Sequence, residues 1–483
     1  MDVAINIKDI TYPKNCPFNP DCAFPELGGL YDYSVDSENK VYGSIRELLI
    51  SLKLDEENIG KECWNPFSDF VKHGDRVVIK PNLVLHHSGS KEDISAVVTH
   101  ASLIRPLIDY TILALQGTGE IIVGDAPHGD ANFDIITRAN GLFDLVEWYK
   151  SKGYNIQLRD FRKFVYPKGF KSSVLVEREG DPDGYVAVDL GEHSHLNNLN
   201  NLDRLYGSDF DRSFIVRQHQ GGHHKYLVSG TIMKADVVIS VPKLKTHRKA
   251  GVTINMKNLV GINGDKNYLA HYRIGSPAQG GDEYPNTKNP LLLFYHWYER
   301  FSGDHFMAKN TMYYRYLNKI CRIPSYAGVA LYCLFKGKAN VATCGAWHGN
   351  DTCWRMCLDL NYILRFANKE GKVCDEPQRR YFALVDGIIA GEGDGPMKPD
   401  PKPIGTLLAG LSPYKVDYIA SYIMGFDPQK LSQIRTAAEE NGFKGEDLKV
   451  VCKKQGKEVS YKDINFEFKE PPTWKGTMKR NNG

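Results

Sequence analysis

The sequence predicts an α/β protein built on a doubly wound, mostly parallel sheet, with helices on both faces and an inserted aromatic-rich helical subdomain. Four short apolar runs bounded by Gly, Pro or Asp have the length and composition of buried parallel strands. They are RVVIKPN at 76–82, EIIVGDAP at 120–127, DVVISVPK at 236–243 and YFALVDG at 381–387. Helical patterns at 98–115 and 133–152 follow or separate these runs. That alternation is typical of a doubly wound sheet.

Local composition divides the 483 residues into four segments. We expect an N-terminal extension at 1–60 and the first part of the α/β core, with anion-binding loops, at 61–288. An inserted helical segment follows at 289–340, and the second part of the core with a C-terminal tail occupies 341–483. A chain of this length can bury a large core.

The inserted segment differs from its flanks because it combines dense aromatic residues with Arg and Lys, as in PLLLFYHWYERF at 290–301. We interpret it as a lid or as the face of a homodimer. This interpretation is favoured over an in-plane membrane anchor at 289–338 because the apolar runs are short and broken.

Composition excludes several classes of protein. A net charge of +3 and a pI near 8.2 fall short of the basic footprint of a nucleic-acid-binding protein, so no nucleic-acid partner is expected. The start of the chain, MDVAINIKDITYPKN, lacks the pattern of a secretory signal, so we expect a cytoplasmic protein. The ten cysteines lack the spacing of a zinc site or a ferredoxin cluster, and no iron–sulfur cluster is expected.

Polar residues follow or interrupt each of the four predicted strands. They are Lys80 and Asn82, then Asp125 and His128, then Lys243, and finally Asp386. Ligands of open α/β sheets bind outside the carboxyl ends of the strands. We therefore expect these side chains to surround one crevice.

The stretch VPKLKTHRKAGVTINMKNLVGINGDK at 241–266 gathers cations among Gly and Asn directly behind an apolar run. Such a loop can present backbone N–H groups and ammonium groups to an oxyanion. It matches neither the P-loop nor the dinucleotide-binding pattern. The predicted anion-binding residues here are Lys243, Lys245, Asn258, Gly261 and Lys266.

Clusters of acidic residues and histidines make a metal site possible. VGDAPHGDANF at 123–133 contains Asp125 and Asp130, whose carboxylates could hold a divalent cation or pair with the lysines; pairing is favoured. His223, in RQHQGGHHK at 217–225, is a third metal candidate. Glu392 and Asp394, in the glycine-rich run DGIIAGEGDGPM at 386–397, are expected to belong to a ligand loop.

The expected chemistry is proton transfer. His247 would act as general acid or base, and Lys257 would stabilise oxyanion charge or act as a second base. Asp125 and Asp386 would orient these groups or hold a metal. Lys80, Lys243 and Lys245 would fix the anion.

These motifs resemble the bacterial and archaeal family called domain of unknown function 362. The resemblance runs from about residue 75 to 426 and is carried by VIKPNLV, GDAPHGDANF, the PKLKTH block and DGIIAGEGDGPM. It implies the fold more than an activity, because the activity of the family is not settled. Some members carry an iron–sulfur module that is absent from this sequence.

A second, more distant resemblance is to the N-terminal domain of nickel-pincer lactate racemases. His247, Ala250, Gly251 and Lys257 have the spacing of that family's motif. It implies that Lys257 anchors a pincer cofactor and that His247 does proton work. The chain departs from the motif at 254–256, where Ile-Asn-Met replaces Ser-Gly-Gly, so the cofactor stays open.

Together these patterns predict an enzyme acting on a small metabolite that bears a carboxylate or phosphate, in sugar or cell-surface glycan metabolism. The reaction class is open among isomerase or epimerase, lyase and transferase. One alternative is a nickel-pincer-type hydroxy-acid racemase. Another is a non-catalytic protein that binds an anion or a glycan precursor.

Overall fold

A mixed, mostly parallel sheet organises the chain, which has the predicted α/β fold. The computed structural model describes residues 1–30, 34–89, 93–169, 173–207, 211–336 and 341–480. The eleven strands of this central sheet are β1 Val3–Ile7, β2 Arg76–Pro81, β3 Glu120–Asp125, β4 Ile156–Asp160, β10 Val237–Val241, β11 Lys243–His247, β12 Gly251–Thr253, β14 Arg380–Glu392, β15 Asp400–Gly410, β16 Val450–Lys454 and β17 Lys457–Val459.

Six further short strands form two-stranded ribbons outside the central sheet. They are β5 Phe164–Val165, β6 Val176–Glu177, β7 Tyr185–Asp189, β8 Leu205–Tyr206, β9 Lys225–Ser229 and β13 Tyr272–Arg273. The helices are α1 Lys40–Ser51, α2 Ala101–Leu115, α3 Phe133–Ala139, α4 Leu142–Ser151, α5 Arg212–Gln218, α6 Gly230–Met233, α7 Asn255–Asn258, α8 Pro290–His305, α9 Met312–Cys321, α10 Ile323–Lys336, α11 Cys353–Phe366, α12 Pro413–Ile423 and α13 Ser432–Glu440.

The strand order is β17-β16-β1-β15-β14-β10-β2-β3-β4. From β14 to β4 every neighbouring pair is parallel, whereas β15 runs antiparallel to both β14 and β1. Beyond β10 the chain continues into β11, which pairs with the second half of β14 and with β12. The four predicted strands are therefore adjacent, and their carboxyl ends meet at one edge.

Alternating residues of the central strands face opposite layers of helices, as the period of a strand requires. Ile79, Val123 and Ile239 belong to the core that α1, α2 and α4 cover. Val78 and Val238 point to the other face and pack in a core that includes residues of α11. A further cluster on this face includes residues of α12 and α13.

The N-terminal segment and the region after the insertion both contribute to the sheet. Within 1–60, β1 lies between β15 and β16, and α1 packs against it. The region 341–480 supplies β14 to β17 and α11 to α13.

The inserted segment forms the helices α8, α9 and α10; its last residues, 337–340, lie outside the described residues. Arg322 and Glu299 form an ion pair, and the rings of Tyr284 and His296 stack at 3.7 Å between centroids. No helix in the part of the chain described combines the length and apolar character needed to cross a bilayer.

Replacing Ile239 by Ala should destabilise the protein strongly, because Ile239 is fully buried in the central strand β10. We expect a loss of about 2–5 kcal/mol in the free energy of unfolding, from lost burial and the cavity left behind. Ile135→Ala is the matched control, since Ile135 is exposed. Urea denaturation of both variants measures the difference, and equal losses would contradict this packing.

Candidate functional site

Two buried ion pairs lie at the carboxyl edge of the central strands. Lys80 Nζ, at the end of β2, lies 2.8 Å from Asp125 Oδ1, at the end of β3. Lys243 Nζ lies 3.1 Å from Asp386 Oδ2, where the first residue of β11 pairs with β14. The four strand-end residues named from the sequence thus lie at one edge as two acid–base pairs.

A chain of hydrogen bonds extends the first pair across the strand ends. Asn258 Oδ1 accepts from Lys80 Nζ at 3.1 Å and from Asn82 Nδ2 at 3.2 Å. Asn82 Oδ1 in turn accepts from Lys245 Nζ at 2.8 Å. This network fixes α7, which carries Asn258, to the ends of β2 and β3.

The second pair is sealed by the N-terminal segment. Tyr12 donates its hydroxyl to Asp386 Oδ1 at 2.6 Å and accepts from Lys243 Nζ. The Tyr12 ring stacks on His100 at 4.4 Å between centroids. Asp386 also accepts from the backbone N–H of His100 at 3.2 Å, so its carboxylate is fully enclosed by protein.

Lys80, Lys243 and Lys245, expected to fix the anion, are all engaged with acceptors of the protein. All three are 0% exposed, and each ammonium already has protein acceptors. Burial lowers the pKa of each lysine, and for Lys245 the neighbouring Lys243 lowers the pKa further. These lysines hold the strand ends together, and of the three Lys245 also lines the cavity described next.

A cavity of about 370 Å³ lies beside this network. The residues predicted from the sequence that line it are Asn82, Asp125, His128, Lys245, His247, Lys257, Asn258, Gly261 and Lys266. Those that do not line it are Lys80, Asp130, His223, Lys243, Asp386, Glu392 and Asp394. The cavity is therefore lined by only some of the strand-end residues that were expected to surround it.

The cavity has an excess of positive charge. Asp125 is the one acidic residue among its described lining residues, and Lys80 already neutralises it. Lys249 and Lys257 line the cavity, and in the described part of the chain neither ammonium has an ion pair or a hydrogen bond. The Lys249 ammonium lies over the Tyr272 ring, 5.3 Å from its centroid. Burial lowers the pKa of Lys249, and an anion bound beside it would favour the charged form.

Lys266 lines the cavity but is held by the backbone. Its ammonium donates to the carbonyl oxygens of Ala126, Val260 and Asn263 at 2.9, 3.2 and 3.2 Å. Burial lowers the pKa of Lys266 to about 7, while three acceptors favour the protonated form. Lys266 therefore ties the loop after β3 to the loop after α7.

The hydrogen bonds of His247 assign its tautomer. Nδ1 accepts from the backbone N–H groups of Lys249 at 3.0 Å and Ala250 at 3.2 Å. In the neutral ring the proton must therefore sit on Nε2. Burial and then Lys257 hold the pKa of His247 well below its usual value, so the ring is neutral and donates from Nε2. Of the two expected roles, general acid or base, this tautomer favours donation from Nε2.

His271, which the sequence did not single out, has the opposite tautomer. Its Nδ1 lies 2.9 Å from the carbonyl oxygen of Leu269, which can only accept, so Nδ1 carries the proton. Burial, then Lys249, holds the pKa of His271 well below its usual value. Its Nε2 consequently carries a lone pair. His247 and His271 both line the cavity.

Helix α7, which carries Lys257, is anchored by Asp417 of α12. The Asp417 carboxylate accepts from the backbone N–H groups of Asn255 at 2.9 Å and Met256 at 2.8 Å. Burial raises the pKa of Asp417 to about 7. Asp417 thus positions the Lys257 turn from the second half of the core.

The glycine-rich loop after β14 borders the site through an ion pair. Asp394 pairs with Arg248, which lines the cavity. Glu392 instead pairs with Lys402 at 3.0 Å and Lys469 at 3.2 Å. Glu392 therefore ties β14 to β15 and the C-terminal tail.

The metal candidates are not brought together. Asp125 pairs with Lys80 at 2.8 Å, and His223 pairs with Asp189 at 2.7 Å. Across the described ranges, no group of three or more His, Cys, Asp or Glu side chains is arranged to hold a metal ion. The carboxylate–lysine pairing favoured from the sequence is the arrangement found at Asp125.

Gly261 leaves the space that the Lys80–Asp125 pair occupies. A Cβ at this position would collide with Asp125 Oδ1 and approach Lys80 Nζ. The Gly261 carbonyl also accepts from the Ala126 N–H at 2.8 Å. The glycine is therefore required by close packing against the ion pair.

Several residues that line the cavity were not singled out from the sequence. They include Arg248 and Lys249 within the cation-rich stretch and, from other segments, Tyr206, Gly207, His271, Tyr272, Cys344, Ala346, Pro396 and Met397. Lys249 could have been found, because it lies inside the cation-rich stretch. His271 has no motif around it, and only the folded chain places it in the cavity.

The chain belongs to the family described as Domain of unknown function (DUF362), whose model matches residues 163–422. This region includes the Lys257 turn and β14 but neither β2 nor β3. The family resemblance read from the motifs is confirmed.

Proteins similar to this chain include a cyanobacterial protein and a protein of solved structure. Thylakoid-associated protein sll1697 of Synechocystis sp. is 22% identical over 397 residues, which cover 81% of this chain and 74% of that protein. A Thermotoga maritima protein solved by a structural genomics consortium is 11% identical, with a TM-score of 0.29, over 75% of this chain and 54% of that one. This chain thus spans about half the length of the Thermotoga protein, and so low a TM-score carries no argument.

Replacing Gly261 by Ala should destabilise the protein by about 2 kcal/mol or more, because the added methyl group must displace a buried ion pair. Gly29→Ala is the control, since nothing lies within 4 Å of a Cβ there. Denaturant unfolding compares the two variants. A Gly261→Ala protein as stable as the control would contradict the close packing described.

Proposed function

We propose that this protein is an enzyme that transfers protons on a small metabolite bearing a carboxylate or phosphate. The observation that carries the proposal is the pair of histidines of opposite tautomer in one cation-lined cavity. One ring can donate a proton where the other can accept one. That is the requirement for acid–base catalysis on a single bound molecule.

Lys249 and Lys257 would bind the anionic group. A hydrogen bond between an ammonium and a carboxylate or phosphate contributes about 1.5–3 kcal/mol, and more where water is excluded. Neither ammonium has a competing carboxylate among the described residues. The substrate itself would supply the missing negative charge.

His271 would be the base and His247 the hydrogen-bond donor. The His271 Nε2 lone pair would remove a proton from the substrate, and the Nδ1–H···O=C bond to Leu269 would keep the ring in the productive tautomer. The Nε2–H of His247 would stabilise the oxygen on which negative charge develops. This division suits an isomerase, an epimerase or a lyase, whose reactions can begin by proton removal beside a carboxylate.

The biological setting of the proposal rests on the sequence. We retain a cytoplasmic enzyme of sugar or cell-surface glycan metabolism as the expectation. The Synechocystis relative is described as thylakoid-associated, so attachment to a membrane surface is compatible with the proposal.

Two alternatives make different predictions. A nickel-pincer racemase would carry a cofactor on Lys257, so intact mass and nickel content of the purified protein would reveal it. A non-catalytic anion- or glycan-precursor-binding protein would retain binding without turnover. We expect an unmodified Lys257 and turnover that depends on His271.

Replacing Lys257 by Met should weaken anion binding about tenfold or more, because one of two unpaired cations is lost while the stem is kept. Lys14→Met is the control, since Lys14 is exposed and does not line the cavity. Calorimetric titration with inorganic phosphate, pyrophosphate and malonate measures the effect. Equal affinities for both variants would remove Lys257 from the anion site.

Replacing His271 by Gln should lower proton exchange about a hundredfold or more, the scale of a lost general base. His247→Gln should lower it less, because an amide N–H can still donate. The measurement is deuterium uptake from D₂O into a panel of small carboxylates and phosphates, followed by NMR. His223→Gln, outside the cavity, is the control, and a His271→Gln protein within threefold of it would exclude the role.

The pH dependence follows from the direction of the His271 pKa. Because burial and Lys249 lower this pKa below 6.5, the base is neutral at pH 7 and becomes protonated only under acidic conditions. We expect kcat/KM to fall as the pH drops through a value below 6.5. An acidic limb centred above pH 6.5, or one that persists in His271→Gln, would contradict the assignment.

A further inference from the structure

The helices of the inserted segment turn large apolar side chains to the outside. On α8 these are Leu293, Phe294 and Trp297, with Trp297 50% exposed. On α9 they are Met312, Tyr313, Tyr316 and Ile320, with Tyr313 69% exposed. Phe294 and Trp297 are three residues apart, and Tyr313, Tyr316 and Ile320 are three and four apart, so each set lies mainly on one face of its helix. Large exposed apolar side chains grouped in this way mark an interaction surface.

Helix α10 is the most apolar of the three. From Ile323 to Phe335 it has no charged residue, and its outward side chains include Leu331, Leu334 and Phe335. Leu334 is 81% and Phe335 78% exposed. Arg322 precedes this run and Lys336 follows it. The outward face of α10 is therefore apolar and without charge, and Arg322 at its start is paired with Glu299.

Positive charge is concentrated on the same segment. Residues 289–336 contain six Lys or Arg and two Asp or Glu, a surplus of four. The whole chain has a net charge of +3, so the rest of it has a net charge of −1. Lys309 and Lys319, at the end of the turn after α8 and on the outward face of α9, are exposed. The segment is therefore complementary to an anionic surface.

The length of α10 sets its orientation at such a surface. Its 14 residues extend about 21 Å at 1.5 Å per residue, shorter than the hydrocarbon core of a bilayer, about 30 Å. The helix can lie in the headgroup region with its apolar face inward, but it cannot span. Trp and Tyr, abundant on α8 and α9, are the residues enriched at that depth.

We propose that the outward surface of α8, α9 and α10 docks on an anionic lipid surface, with α10 lying in the plane of the interface. The sequence favoured a lid or dimer face because the apolar runs are broken. The fold changes this assessment: each short run becomes one outward helical face, and no described residue of 289–336 lines the cavity. The three helices therefore do not cover the site.

A lipid surface fits better than a second copy of the chain. The buried centres of protein interfaces are depleted of Lys, whereas Lys319 lies on the same α9 face as Tyr316 and Ile320. A symmetric dimer through this surface would also bring two segments of net charge +4 together. Anionic headgroups would instead pair with Lys319 and would attract the positive charge of the segment.

The test is flotation of the full chain with vesicles. We expect the protein to float with mixed phosphatidylcholine–phosphatidylglycerol vesicles, to float much less with pure phosphatidylcholine, and to be released by high salt. Absence of flotation with the mixed vesicles would overturn the proposal.

Matched variants identify the surface responsible. Leu334→Ser with Phe335→Ser should reduce flotation at least fivefold, while Ile135→Ser, an exposed apolar residue on α3, should not change it. Lys309→Glu with Lys319→Glu should lose the preference for anionic vesicles, and Lys14→Glu should retain it. Circular dichroism checks that each variant folds.

Measuring the oligomeric state distinguishes a lipid surface from a second copy of the chain as the partner of this surface. Sedimentation without lipid should show the same mass for the wild type and for Leu334→Ser with Phe335→Ser. A wild-type dimer that this double substitution converts to monomer would assign the surface to a second copy and overturn the lipid proposal.

Discussion

The ion pair between Lys80 and Asp125 is the interaction on which the arrangement of the site depends. Both groups are almost completely buried at the ends of adjacent parallel strands. Removing water from two such charges is costly, and only their close contact and further hydrogen bonds offset the cost. Leu83 donates its backbone N–H to Asp125 Oδ2 at 2.8 Å, and Asn258 accepts from Lys80 at 3.1 Å. The pair therefore fixes both the loop after β2 and the turn of α7.

The cavity beside this pair is built with its charges unbalanced. Lys249 and Lys257 repel one another's positive charge, and both depress the proton affinity of His247 and His271. In an empty cavity this repulsion destabilises the fold. A bound anion would relieve it, so under the proposed function the same charges that cost stability without a ligand would provide affinity with one. Burial first, and then the same cations, lower the pKa of both histidines and keep them neutral.

The sheet was predictable because its physical signals are local. Each central strand is an apolar run ended by Pro, Gly or a polar residue, and the carboxyl ends of parallel strands must share an edge. This was sufficient to place Lys80, Asp125, Lys243 and Asp386 near one another. It could not separate buried from accessible ammonium groups, since Lys245 and Lys249 look alike in the sequence. That distinction depends on burial and acceptors, which only the packed structure supplies. His271 and its tautomer depend on a single carbonyl oxygen, that of Leu269, for which no sequence pattern exists.

Because the cavity takes residues from as early as Asn82 and as late as Met397, it cannot exist in any short piece of the chain. A fragment cut at the family boundaries, 163–422, would keep Lys257 and His271 but lose the strands that carry Lys80 and Asp125. Such a fragment would expose one edge of β10. It would also leave Asn258 of α7 without its hydrogen bonds to Lys80 and Asn82. The cavity should therefore form late in folding, after contacts between distant segments have closed the sheet. An anion present during refolding would stabilise the closed cavity and so favour that last step.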